Sequence, residues 1–176
     1  MAAQATQEQL SDESLQALSA SWDDAWGARD VDRIADHLTE DAVYEDPALP
    51  EVVHGRAAFK EQARNIITAL PDIELRQHTV FRSLDDSQLG ATRWTFAGSF
   101  QNSLFPAGFA PTGRRVEVEG MALVEVRGDK IARLRLFYDT TEFARQIGAA
   151  PPQGSRMEQV GLLFQRLAAR RMRTGR

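Results

Sequence analysis

Two aspartates stand where a carboxylate could move a proton. Asp139 ends the run Lys130-Ile-Ala-Arg-Leu-Arg-Leu-Phe-Tyr-Asp139, and strict strand alternation puts it on one face with Arg135 and Phe137. A carboxylate held among aromatic rings exchanges protons nearer neutral pH than a solvated one, which suits general acid/base work. The competing reading of Asp139 is structural: a partner for Arg135, or the cap of a helix starting near Thr141. Asp46 sits in Glu45-Asp46-Pro47, where an aspartate before proline commonly serves a turn. Tyr44, two residues earlier, could donate to a developing oxyanion, or simply keep its hydroxyl at the rim of a half-buried strand. His54 and His78 are further acid/base candidates; a loop or capping role competes for His54, and a solvated strand position for His78. Trp22, Trp26, Trp94, Phe96, Phe109 and Phe137 supply apolar lining or core, and their number favours a polycyclic or extended apolar ligand over a sugar or phosphate.

Other chemistries lack their residues. There is no cysteine, hence no disulfide, thiolate nucleophile or cysteine-based zinc site. His37, His54 and His78 lie far apart, so no metal site is expected. Gly108 and Gly113 stand in a proline-containing loop before a strand, unlike a phosphate loop, which opens a helix. A net charge of −4 argues against nucleic acid. No apolar run is long enough to span a bilayer, and Met1 to Gln9 is polar; the expectation is a cytoplasmic protein with no membrane partner and no cofactor.

The elements that must position these residues follow from periodicity. Residues 1–10 read as a flexible N-terminus. A helix from about Ser11 presents Leu15, Leu18, Trp22, Ala25 and Trp26 on one face and stops at Gly27; a short second helix is capped by Asp30. Asp41 to Pro47 is a short strand. A third helix after Gly55 turns Phe59, Ala63, Ile66, Ile67 and Leu70 inward and ends at Pro71. Four long strands are expected over 73–84, 89–101, 114–126 and 130–139, with turns at 85–87 and 127–129 and a loop over 102–113. A short helix over 141–147 closes a domain of residues 11–148; 149–154 is a linker. Residues 155–176 form an amphipathic helix, with Met157, Val160, Leu163, Phe164 and Leu167 on one side and a solvated basic end at Arg166, Arg170, Arg171 and Arg173. Three helices followed by antiparallel strands define an α+β domain, whose curved sheet leaves a ligand cavity under the helices.

Three stretches resemble the nuclear transport factor 2-like superfamily, and within it the SnoaL-like polyketide cyclases. They are Leu38-Thr-Glu-Asp-Ala-Val-Tyr-Glu-Asp-Pro47 with His54-Gly-Arg-Ala-Ala-Phe-Lys60; Phe109-Ala-Pro-Thr-Gly-Arg-Arg-Val116; and Gly128 to Asp139 with Gln146-Ile-Gly148. The resemblance implies a cone-shaped fold and a homodimer; strand alternation makes Leu134, Leu136 and Tyr138, opposite in parity to Asp139, candidates for the dimer surface on the outer face of the sheet. It also implies cofactor-free, intramolecular aldol-type cyclisation of a small hydrophobic, polyketide-like substrate, with Asp139 as acid/base and Asp46, Tyr44 and His54 in support. Met121 and Arg135 join the aromatics as expected substrate contacts. Glu45-Asp46-Pro47 is also similar to the general-base motif of the ketosteroid isomerases, but Trp22 and Met121 stand where those enzymes keep their oxyanion donors. The limonene epoxide hydrolases are a further minor alternative, with Arg93-Trp-Thr95 where they carry Arg-x-Asp. A non-catalytic ligand-binding or interaction domain of the same fold is the alternative from another class.

Overall fold

The computed structural model describes residues 11–85, 88–104 and 108–174, with the side chains at 167 and 170–174 excepted. The expected flexible N-terminus, 1–10, lies outside the described residues, as do parts of the 85–87 turn and the 102–113 loop.

The helices begin where their caps predict. Ser11 accepts from the Ser14 amide and opens α1 (Asp12–Gly27); Asp30 accepts from the Arg33 amide and opens α2 (Val31–Asp36). Next come β1 (Leu38–Glu45), β2 (Val53–His54) and α3 (Arg56–Ala69). The long strands are β3 (Glu74–Arg82), β4 (Leu89–Ser99), β5 (Arg115–Arg127) and β6 (Lys130–Tyr138), followed by α4 (Thr140–Gln146) and α5 (Arg156–Thr174). The tight connection between β5 and β6 uses Gly128 at φ 66°, a left-handed conformation that costs glycine nothing.

The six strands form one curved, open sheet in the order β2-β1-β6-β5-β4-β3, an α+β arrangement consistent with the nuclear transport factor 2-like cone. Five neighbour pairs make it up. Four are antiparallel, while β1 runs parallel to β6, bringing Tyr44 opposite Leu134 and Glu45 opposite Arg135. The two-residue β2 and the parallel pairing go beyond the sequence expectation. Both depend on long-range contacts that local periodicity does not carry.

Burial alternates along β5: Val116, Val118, Gly120, Ala122, Val124 and Val126 face the helices, and their neighbours face outward. On β6 the alternation breaks. Val126 pairs with Ile131 and Glu125 with Arg133, so Ala132 is an extra residue, a β-bulge. Ile131 and Leu134 are consequently both buried although they are three positions apart, a spacing that strict alternation would put on opposite faces. Beyond the bulge the inner face belongs to Leu134, Leu136 and Tyr138.

The concave face packs against α1 and α3. Trp22, Trp26, Phe59, Leu70, Phe100 and Val116 belong to one continuous buried cluster. α5 is tied near its start to α4 by Arg145 and Glu158, 3.3 Å apart, and leaves Met157, Val160, Leu163 and Phe164 exposed. Among the described residues no helix is long and apolar enough to cross a membrane.

Candidate active site

Between the sheet and the helices lies a cavity of about 180 Å³. Its walls are mostly apolar, and at one place on them three polar side chains meet. β1 delivers Tyr44 and then Asp46 just past its end; the parallel pairing with β6 sets Tyr138 beside them. The Tyr44 hydroxyl donates to Asp46 Oδ2 at 2.8 Å, and the Tyr138 hydroxyl donates to Oδ1 at 2.7 Å. The Ala48 amide also donates to Oδ1, at 2.9 Å, closing the turn that Pro47 begins. These are the only two tyrosines in the chain, and both serve one carboxylate.

Burial first, and then the negative charge of Asp46, raises both phenols above their usual range, Tyr44 well above it. They are therefore neutral donors at physiological pH. Asp46, Leu49 and Leu136 line both the cavity and a shallower cleft at its rim, so the carboxylate can be reached from the interior and from the edge.

A row of residues across the sheet supports the cluster. Trp94 on β4 pairs with Gly120 on β5, which pairs with Tyr138 on β6. The Trp94 ring lies across Gly120 and meets Tyr138 at a centroid distance of 5.8 Å, nearly edge-on. A Cβ at Gly120 would lie 2.7 Å from Trp94 Cη2, nearer still to Cζ2, and 2.7 Å from the Phe137 carbonyl. On the other side Phe59 meets the Tyr44 ring at 5.0 Å.

Of the residues expected to contact a ligand, Trp22, Trp26, Trp94, Phe96 and Phe109 line the cavity. Asp139 does not. It is exposed, and its carboxylate caps α4 by accepting from the Thr141 and Glu142 amides at 2.8 and 2.9 Å. Arg135 and Phe137 are also outside, the guanidinium 5.2 Å from the centroid of the Phe137 ring. These three corrections share one cause: the bulge at Ala132 reverses strand parity, so Leu134, Leu136 and Tyr138 line the cavity instead of a dimer surface. Met121, 44% exposed, is an outward position of β5 and touches no cavity wall. His54 is exposed on the edge strand β2 and is not part of the lining. His78 lies outside, bonded to Thr95 Oγ1 at 2.6 Å, and Arg93 pairs with Glu119 on the outer face. The arginine of the epoxide-hydrolase alternative is thus away from the cavity.

Sequence reasoning missed Tyr138, whose parity the bulge hides, and Gln62, which lines the cavity from α3. Gln62 had a signal: it stands on the apolar stripe of α3, three residues after Phe59 and four before Ile66. Among the described residues no group of three His, Asp or Glu side chains could hold a metal ion.

A curved sheet with an apolar cavity and a carboxylate–phenol cluster at its wall defines an α+β domain of the nuclear transport factor 2-like kind. The sequence profile of the SnoaL-like polyketide cyclases matches residues 16–147, and the chain belongs to that family. Solved structures agree on the fold. AclR from Streptomyces galilaeus, provisionally assigned as a hydroxylase, has a TM-score of 0.68 at 18% identity, over 92% of this chain and 98% of that one. A provisionally assigned polyketide cyclase from Xanthomonas campestris has a TM-score of 0.66 at 21% identity, over 77% and 98%. SalBIII, an epoxide hydrolase/cyclase-like enzyme of pyran ring formation in the polyether salinomycin, has a TM-score of 0.60 at 25% identity, over 74% and 95%. No curated protein matches the chain.

Proposed function

We propose that this chain is a cofactor-free enzyme that cyclises a polyketide-like carbonyl compound, an isomerase- or lyase-type reaction, with Asp46 as the proton-transfer group. One observation carries the reading: a carboxylate at the wall of an apolar cavity accepts from both tyrosines of the chain.

The Asp46 carboxylate removes a proton from the carbon next to a substrate carbonyl. The C–H electron pair becomes the enolate, whose oxygen takes a hydrogen bond from a tyrosine that turns from Asp46 to the substrate. The enolate carbon then bonds to a second carbonyl carbon of the same molecule, and the resulting alkoxide recovers the proton from the Asp46 carboxyl. No atom is gained or lost. The walls hold the substrate folded, and that orientation supplies much of the rate. Neutral phenols in a water-poor site stabilise the developing oxyanion more strongly than water does. The working unit in this reading is a homodimer: Met121 and Phe137, 44% and 48% exposed on the uncovered outer face of the sheet, form an apolar patch that a second copy would bury.

The test is native mass spectrometry of the protein purified from its own host, with Asp46→Asn and Asp139→Asn alongside. Wild type and Asp139→Asn should convert a co-purifying carbonyl compound that Asp46→Asn binds and keeps unchanged. A ligand that all three proteins hold unaltered would make the domain a binding protein. Loss of turnover in Asp139→Asn but not Asp46→Asn would reverse the assignment.

A further inference from the structure

α3 turns a stripe of apolar residues toward the cavity, and Gln62 interrupts it. The side chain is only 7% exposed, between Phe59 at 2% and Ala63 at 0%. It lines the cavity about 4.5 Å along the helix axis from Phe59. A primary amide brings two donors and an acceptor. The other amide of the lining, on Gln77, is engaged by Ser19, and Asp46 and the two tyrosines satisfy one another. The Gln62 amide makes no hydrogen bond to any described residue. Buried amides without partners are disfavoured, so this one is held ready for a group that the protein itself does not supply. Thr92, 9% exposed on the facing sheet, likewise makes no side-chain hydrogen bond among the described residues.

Charge narrows what that group is. Among the described residues, no lysine, arginine or histidine lines the cavity, and Asp46 is its one carboxylate. A carboxylate or phosphate on the ligand would be buried without a counter-charge and opposite a negative one. A neutral carbonyl or hydroxyl fits an amide that both donates and accepts.

We propose that Gln62 is a specificity-determining residue whose amide binds a second, non-reacting oxygen of the ligand, so that the cavity selects a neutral, extended apolar compound bearing at least two separate oxygen functions. This rests on the reading of the cavity as a substrate site and adds the substrate's chemical class.

Trp22, Trp26 and Trp94 are the chain's only tryptophans, and all three line the cavity, so intrinsic fluorescence reports its occupancy. The probes are 9,10-anthraquinone, anthracene on the same carbon skeleton without oxygens, and anthraquinone-2-carboxylate. Wild type should bind anthraquinone about tenfold tighter than anthracene, the worth of one hydrogen bond, and the carboxylate more weakly than either. Gln62→Leu, and Gln62→Met, which keeps the volume, should abolish the preference for anthraquinone without weakening anthracene binding. Both variants should melt at or above the wild-type temperature, because they remove an unpartnered amide. A preference that survives in the variants, a wild type with no preference or no binding, or a lowered melting temperature would each overturn the proposal. Asp46→Asn keeps the two readings apart. If it still turns over the co-purified compound, the catalytic assignment fails while the probe selectivity remains measurable; if Gln62→Leu keeps the selectivity, only the present inference fails.

Discussion

On β6, Leu134, Leu136 and Tyr138 line the cavity, whereas Arg135 and Phe137 stand on the outer face and Asp139 caps the next helix in solvent. Both faces carry an aromatic ring, and both neighbour a carboxylate. On the inner face the ring belongs to a phenol that donates to Asp46; on the outer face Phe137 receives a guanidinium and Asp139 receives backbone amides. The same kinds of side chain thus build a part-buried carboxylate–phenol cluster on one side and ordinary surface structure on the other. Burial and a shared acceptor make the difference, and a single extra residue, Ala132, decides which set is which.

The sharpest way to break this contrast is to remove each carboxylate in turn. Asp46→Asn should lower turnover by roughly 10²–10⁴-fold, the usual worth of a positioned acid/base group. Asp139→Asn, measured under the same single-turnover conditions, should leave it unchanged. Equal losses would erase the distinction between the two faces.

Alkaline titration sharpens the comparison next, since both tyrosines belong to the inner cluster. The folded-state values of Tyr44 and Tyr138 are raised by burial and by the charge of Asp46. The stabilisation from their neutral forms is therefore present below the unfolded-state value of about 10 and is lost as pH rises above it. Tyrosinate absorbance in the near ultraviolet should stay flat past that pH in the native protein and rise only with unfolding. In denaturant it should rise near 10. A native tyrosine titrating near 10 would place one phenol in water.

Gly120→Ala carries a smaller expected effect. The added methyl meets the Trp94 ring and the Phe137 carbonyl, so stability in urea should fall by about 1–3 kcal/mol, and the fluorescence of Trp94 should change as the ring tilts off Tyr138. An unchanged spectrum would mean that the ring does not depend on the glycine. Smallest is Asp139→Ala, which removes the cap of α4 and should cost about 1 kcal/mol in the same titration with no effect on ligand binding.

Much of the fold was legible locally. Ser11, Asp30 and Pro71 mark helix ends because caps and proline act within a few residues, and alternation marks β4 and β5 because their pairing is regular. The candidate site was legible only in part. Glu45-Asp46-Pro47 and Tyr44 stood out on one short strand, but their partner Tyr138 comes from a strand 92 positions away from Asp46, joined through a parallel pairing. The bulge at Ala132 then reversed which of the two alternating sets along β6 faces the cavity. Asp139 carried a local signal of its own. Asp139-Thr-Thr-Glu142 has the spacing of a helix start, and that short-range chemistry prevails over the strand reading. Gln62 shows the converse, a polar residue on an apolar stripe with no hydrogen-bond partner among the described residues.

The bare position under Trp94 has a consequence for how the sheet assembles. β5 contains a single glycine, and only when β4 and β5 are aligned as observed does the indole find a neighbour without a side chain. A slip of two residues keeps every inward residue inward and so escapes the penalty that hydrophobic patterning places on odd slips. It would, however, set the Trp94 ring against Val118 or Ala122. Gly120 thus favours the observed alignment over the two-residue slips that polarity alone would tolerate.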